Sequence, residues 1–357
     1  MKLSKQKFKS VLKNLATVVI STIVSLIVIL ILLEVYLRIF EPPAETPGYT
    51  ITHPTRRYQL KPDFTGKTYD AVLQVNSHGL RDFERPINLD SNNLRVTVFG
   101  DSFTFGIGVN HEETFTKILE KNLQNQHRQN VQVFNFGIPS YNTVQEELYL
   151  KEVYDQYLPD VVIFMFYAGN DTNLLEPVNS MSGINSYALI RASKDIMRRL
   201  YAYNWLARRY YSMIYMLKYG GEGKNDLEAR INHDSNLFSD DFEGWQETQR
   251  SFKRIVEFCK AKKVKLGFAI IANHTKLGRS YDEDPMKSIV EKIYHALSEA
   301  DVKFIIRADE AYREFTNQEH KLWVKPKDTH FSKMANKKLG DFLYPWVESI
   351  IQDPSDQ

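Results

Sequence analysis

Apolar residues fall in three patterns along this chain, and each predicts a different kind of element. The first is an unbroken block, "LATVVISTIVSLIVILILL", Leu15 to Leu33, which holds no charged residue. A helix of that length spans about 28 Å, close to the roughly 30 Å hydrocarbon core of a bilayer. The second is a series of short continuous runs rich in valine, isoleucine and phenylalanine: "LRVTVF" (94–99), "VQVFNF" (131–136), "VVIFMFY" (161–167), "VKLGFAII" (264–271) and "VKFII" (302–306). Such runs predict strands buried on both faces. The third is helical spacing. Phe115, Ile118, Leu119 and Leu123 share one face, as do Trp245, Phe252, Ile255, Val256 and Cys259. Ile289, Val290, Ile293 and Leu297 make another such face, and a last helix from about Ser332 buries Leu339, Phe342, Leu343 and Trp346. Strands alternating with helices predict a mostly parallel sheet covered on both sides.

The flanks of the apolar block suggest its orientation. Lys2, Lys5, Lys7, Lys9 and Lys13 precede it, and Glu34, Tyr36 and Arg38 follow. No small-residue cleavage site is evident, so the block reads as an uncleaved signal anchor, a single pass over 15–37. The basic segment 1–14 is then cytoplasmic, and everything after about residue 40 lies outside the cell membrane. The proline-rich "EPPAETPG", Glu41 to Gly48, cannot extend the helix and reads as a stalk. Residues 38–93 form that stalk and a lead-in segment of short strands, and 94–350 form the α/β domain. A helical insertion is expected at about 172–240. There Arg191, Lys194, Arg198, Arg199, Arg208, Arg209 and Lys218 are interleaved with Tyr201, Tyr203, Trp205, Tyr210, Tyr211 and Tyr215. It reads as a lid, a sugar-binding surface or a helix lying on anionic lipid, or as a solvated helix over its own small core.

Charge and cysteine content narrow the classes. A net charge of +2 over 357 residues gives no general attraction for nucleic acid. The single cysteine, Cys259, excludes an intramolecular disulfide and a cysteine-based metal cluster, and its place on an apolar helix face makes it a core thiol.

Ligands of an open parallel sheet bind beyond the carboxyl ends of its strands. At those ends stand Gly100, Asp101 and Ser102, then Gly137, Ile138 and Pro139, then Gly169, Asn170 and Asp171; "KPKDTHF" precedes the last helix. Each of these sequences alone is a common turn. Together they hold the parts of acyl transfer: Ser102 as nucleophile, His330 as base and Asp328 as the carboxylate that orients the imidazole. Backbone N–H groups at Ser102 and Gly137 and the side-chain amide of Asn170 are candidate oxyanion donors. A phosphate-binding loop is disfavoured, because "GDSFTFGIGVNH" has neither G-x-G-x-x-G nor the lysine. An α/β-hydrolase elbow needs G-x-S-x-G, and Gly106 comes too late for it. No metal-ligand spacing joins Asp101, Asp328 and His330, so no metal and no cofactor are expected.

In this order "GDSFTFG", "NFGIPS", "AGND" and "DTHF" resemble the sequence blocks of the SGNH hydrolases, the GDSL esterase/lipase superfamily, over roughly residues 94–345. The resemblance implies a flavodoxin-like three-layer α/β/α sandwich with a five-stranded sheet. It implies Ser102 as nucleophile and oxyanion donor, Gly137 and Asn170 as the other donors, and Asp328 and His330 as acid and base. The family's usual last block places aspartate three residues before histidine, whereas here the spacing is two. The activity implied is hydrolysis of an acyl or acetyl ester of a small molecule, cell-surface carbohydrate or lipid, with O-acyl transfer or a silent binding domain as the alternatives.

Overall fold

The computed structural model describes residues 5–40, 45–46, 48–87, 93–127, 130–173, 197, 200–219, 235–272, 286–315, 318–325 and 328–354. The chain divides into two compact units, residues 1–48 with 184–219, and 49–183 with 220–357.

In the first unit the apolar block lies within one long helix, α1 (Lys5–Phe40). Its stretch Lys13–Phe40 is long and apolar enough to cross a membrane, and its leucines, isoleucines and valines are largely exposed. The helix Tyr201–Tyr219 packs against it. The Glu34 carboxylate accepts from the first two amides of that helix, Tyr201 N–H (3.1 Å) and Ala202 N–H (2.7 Å). A carboxylate there satisfies orphan donors and suits the positive end of the helix dipole. Most of the expected insertion, including Arg191, Lys194, Arg198 and Arg199, lies outside the described residues.

The second unit begins with two antiparallel hairpins, β1 (Thr50–His53) with β2 (Arg57–Leu60), and β3 (Thr65–Thr68) with β4 (Ala71–Gln74). Then the rhythm read from the sequence starts: β5 (Leu94–Gly100), α2 (Ser102–Phe105), α3 (Phe115–His127), β6 (Val131–Gly137), α4 (Thr143–Tyr157) and β7 (Val161–Tyr167). It continues with α5 (Glu243–Lys262), β8 (Lys265–Ile271), α6 (Lys287–Glu299), β9 (Phe304–Arg307), a short ribbon of β10 (Trp323–Lys325) and β11 (Asp328–Phe331), and α7 (Lys333–Gln352). The five long strands form one all-parallel sheet in the order β6-β5-β7-β8-β9. This is the flavodoxin-like order; β5, β6 and β7 are buried along almost their whole length, as their largely apolar sequences require, while the edge strand β9 is half-buried. On one face, Phe115, Leu119, Leu339 and Leu343 of α3 and α7 meet Val96, Val98 and Ile163. On the other, Tyr149, Trp245, Phe252 and Ile293 of α4, α5 and α6 meet Phe99, Phe136 and Phe164.

Residues 49–87, which the sequence presents as a lead-in, pack in the same unit as the sheet. Arginines fasten them. Arg56 is buried, forks onto Glu152 of α4 (3.0 Å to each oxygen), donates to the Tyr141 hydroxyl (2.7 Å) and lies 3.9 Å over the Tyr149 ring. Arg81 is buried too and donates to the carbonyls of Phe105 (2.7 Å), Gly106 and Val109, the chain that follows α2. Arg85 reaches Glu120 of α3 at 2.8 Å. A planar fork with five donors suits several fixed acceptors at once, and beside Arg85 the buried Lys117 ammonium adds bonds to Asp82, Glu120 and the Val133 carbonyl.

Candidate active site

In the order β6-β5-β7 the chain direction switches between β5 and β7, and the crevice beyond those two strand ends is where such sheets bind ligands. Ser102 follows β5 and Asn170 follows β7. The turn into α2 needs glycine at its start: a Cβ on Gly100 would stand 2.1 Å from Thr104 Oγ1. Asp101 then caps the helix, its Oδ1 accepting from Phe103 N–H at 2.9 Å. Ser102 is the first residue of α2, so its own N–H is one of the amides without a partner inside the helix.

The fold brings the serine to the histidine from the far end of the chain. His330 Nε2 lies 2.8 Å from Ser102 Oγ, and His330 Nδ1 lies 2.5 Å from Asp328 Oδ1. The short Asp-Thr-His spacing has a local reason. Asp328 Oδ1 also accepts the backbone N–H of His330 (3.0 Å), a side chain bonding the amide two residues on. That turn aims one carboxyl oxygen at both nitrogens of the same residue. The imidazole is flanked by Phe103, whose ring centre is 5.1 Å away, and Phe103 in turn packs on Phe331 and Tyr167. Burial alone would raise the Asp328 carboxyl, but hydrogen bonds from His330 and from the Tyr69 hydroxyl outweigh it and hold it well below the usual carboxylate range.

The candidate oxyanion donors are placed differently from one another. Asn170 Nδ2 spends one hydrogen on Asp101 Oδ2 (2.8 Å), which fixes the amide beside the serine and leaves the second hydrogen. The Gly137 N–H, expected to face an oxyanion, donates to Asn135 Oδ1 at 2.9 Å. What needs glycine at 137 is packing, because a Cβ there would lie 2.2 Å from the Phe105 nitrogen. Gly137 thus lets the backbone of α2 rest against the end of β6.

Beneath the serine lies a cluster of acids that no sequence motif marks. Asp101, Asp171 and Glu146 are all buried, at 0%, 1% and 1% exposure. Asp171 accepts from the Thr143 hydroxyl (2.9 Å) and from Tyr167 N–H, while Glu146 Oε1 has no hydrogen-bond partner among the described residues. Burial pushes all three carboxyls up, and their mutual repulsion pushes Asp171 and Glu146 well above the usual range. Tyr69 and Arg81 also escape a reading of the sequence, since both lie in the lead-in, where no periodic signal marks them.

No family model matches this sequence, and no curated protein is similar enough in sequence to be counted a relative. Solved structures do resemble it. One is the psychrotrophic esterase EstA from Pseudoalteromonas sp., 12% identical, covering 73% of this chain and 100% of its own, with a TM-score of 0.41. Another is the acetyl xylan esterase AlAXEase, 12% identical, covering 71% and 100%, TM-score 0.40. A third is a lipase/acylhydrolase from Enterococcus faecalis, 12% identical, covering 72% and 96%, TM-score 0.39.

Proposed function

We propose that this chain is a serine ester hydrolase of the SGNH kind, acting through an acyl-enzyme on acyl or acetyl esters of a carbohydrate or lipid outside the cell membrane. The single observation that carries the reading is the continuous chain Ser102 Oγ, His330 Nε2, His330 Nδ1, Asp328 Oδ1, with links of 2.8 and 2.5 Å. A serine hydroxyl is scarcely ionised at neutral pH and needs a base in this position. As Oγ bonds to the ester carbonyl carbon, its proton passes to His330 Nε2. The C–O bond to the leaving group breaks, and His330 returns the proton to the departing oxygen. Water then repeats the sequence and frees the acid and Ser102. The Ser102 N–H, at the positive end of α2, and the remaining Asn170 hydrogen support the oxyanion. Gly137 joins them only by sharing the hydrogen it gives Asn135.

Two features support the setting. The α1 helix is suited to anchoring the chain, and the lysines ahead of its apolar block favour a cytoplasmic N-terminus. The same acyl-enzyme passes its acyl group to a sugar hydroxyl if that reaches the site before water, so one assay decides between hydrolysis and transfer. Purified protein is given p-nitrophenyl acetate with and without a sugar acceptor, and its labelling by a fluorophosphonate is followed. Hydrolysis and labelling are expected, both lost in Ser102→Ala, and Asn170→Ala should lower turnover by about 10²–10³. Acetylated sugar as the main product would make the chain an acyltransferase. A wild type that neither turns over an ester nor labels would leave a silent binding domain.

A further inference from the structure

The β3–β4 hairpin turns through two residues, Tyr69 and Asp70, between the paired Thr68 and Ala71. Tyr69 has φ of +53°. Glycine is the ordinary occupant of a first turn position with positive φ, and for a bulky side chain this conformation is costly. Strained residues of this kind persist where surrounding contacts hold them, and they gather at working sites. Here the contact is plain: the Tyr69 hydroxyl donates to Asp328 Oδ2, the carboxyl oxygen that His330 does not use. The rest of the hairpin is tied to both loops that carry the site. Thr68 Oγ1, fully buried, accepts Gly108 N–H (3.0 Å), and Asn110 Oδ1 accepts Val72 N–H (3.0 Å), both in the chain just after the nucleophile. Lys325, in the strand paired with β11, bonds Asp70 (3.1 Å) and lies 5.7 Å from the Tyr69 ring.

From this geometry we infer that Tyr69 is a positioning residue of the acyl-transfer site, the outermost member of a relay Tyr69–Asp328–His330–Ser102. Its hydroxyl fixes the rotation of the Asp328 carboxyl, so that Oδ1 stays on the imidazole Nδ1 and the proton-accepting Nε2 stays on the serine. Without it the carboxyl is held only by the turn to the His330 amide, and the imidazole loses its fixed tautomer and tilt. The hairpin that supplies it makes the lead-in segment a functional part of the site. The inference rests on the hydrolase reading above.

The test is a double-mutant cycle in the full-length protein. Tyr69→Phe removes one oxygen and keeps the ring in its place. It should lower kcat for p-nitrophenyl acetate by about tenfold, the scale of one hydrogen bond to a charged group, with KM little changed. Fluorophosphonate labelling of Ser102 should slow by the same factor, and the downfield proton resonance of His330 Nδ1–H should shift or broaden. In an Asp328→Ala background the same change should have no further effect on kcat, because Tyr69 acts only through that carboxylate; a merely structural tyrosine would subtract again. Unchanged kcat and labelling in Tyr69→Phe, or full additivity with Asp328→Ala, overturns the inference while leaving the hydrolase reading intact. A wild type that neither labels nor hydrolyses any ester takes down both.

Discussion

At the scale of single residues, the acids beneath Ser102 have an unusual consequence for pH. Glu146 is buried with one oxygen unpartnered and faces Asp171 and Asp101. Its carboxyl is raised, so the folded protein binds that proton more tightly than the unfolded chain does. The resulting stability is fully present below the ordinary glutamate value of about 4.3 and is lost as pH rises through the raised folded value. Glu146→Gln removes the ionisation and keeps the shape. Its urea midpoint should match the wild type near about pH 4 and exceed it near about pH 8, by about 1.4 kcal/mol for each unit of elevation removed. Parallel curves for the two proteins would refute this account of the cluster. Residues of this kind are hard to read in a sequence. Glu146 sits in "NTVQEELYL" on what passes for a polar helix face. Only the packing of α4 on α5 turns that face inward. Ser102 and Asn170, after β5 and β7, and Asp328 and His330, shortly before the last helix, could be proposed from the sequence because ligands of such sheets gather beyond the strand ends.

At the scale of elements, the joints matter more than the elements. The five strands and the long helices follow directly from unbroken apolar runs and helical spacing. The hairpins of residues 50–74 and the β10–β11 ribbon do not, since three- and four-residue strands leave too short a pattern. Arg81 joins one such piece to the chain just after Ser102 through three carbonyls. Replacing it with methionine fills much the same volume but leaves those buried acceptors bare, at about 1–3 kcal/mol each. Arg81→Met should therefore lower the unfolding free energy by about 3 kcal/mol or more, and esterase activity should fall below the unfolding midpoint as the chain after α2 loosens. Arg81→Lys should recover little, having no fork. Wild-type stability in Arg81→Met would show that the contacts carry no load. The Asp328–His330 turn teaches the same lesson in reverse. The two-residue spacing of Asp328 and His330 is accommodated by a local bond to the backbone, which spacing alone does not reveal.

At the scale of the whole molecule, orientation is the property most open to test. A helix of the length and apolarity of α1, with five lysines at residues 2–13 ahead of its apolar block, should hold its N-terminus in the cytoplasm. Alkaline phosphatase fused after Gln357 should be active, and a reporter that works only in the cytoplasm should be silent there. The opposite pattern reverses the topology and moves the substrate to the inner side of the membrane. The expectation rests on a charge-free block of that length beside a run of lysines, which suits the bilayer far better than the core of a folded domain. The insertion at 172–240 was not legible beyond its composition, because a mixture of arginine and tyrosine suits a lid, a sugar surface and a membrane-facing helix equally.

The separation of the site's parts along the chain also has a meaning in time. Ser102 and His330 are 228 residues apart, and Tyr69 and Asp328 are 259 apart. A chain made from its N-terminus presents Ser102 long before His330, the base proposed to activate it. At the usual pace of synthesis that interval is roughly 10–50 s. Through it the serine is an ordinary alcohol, and on the proposed mechanism a chain cut before residue 330 should show no esterase activity. On the proposed mechanism activity would arrive in one step, when β11 comes to rest against the turn after β5.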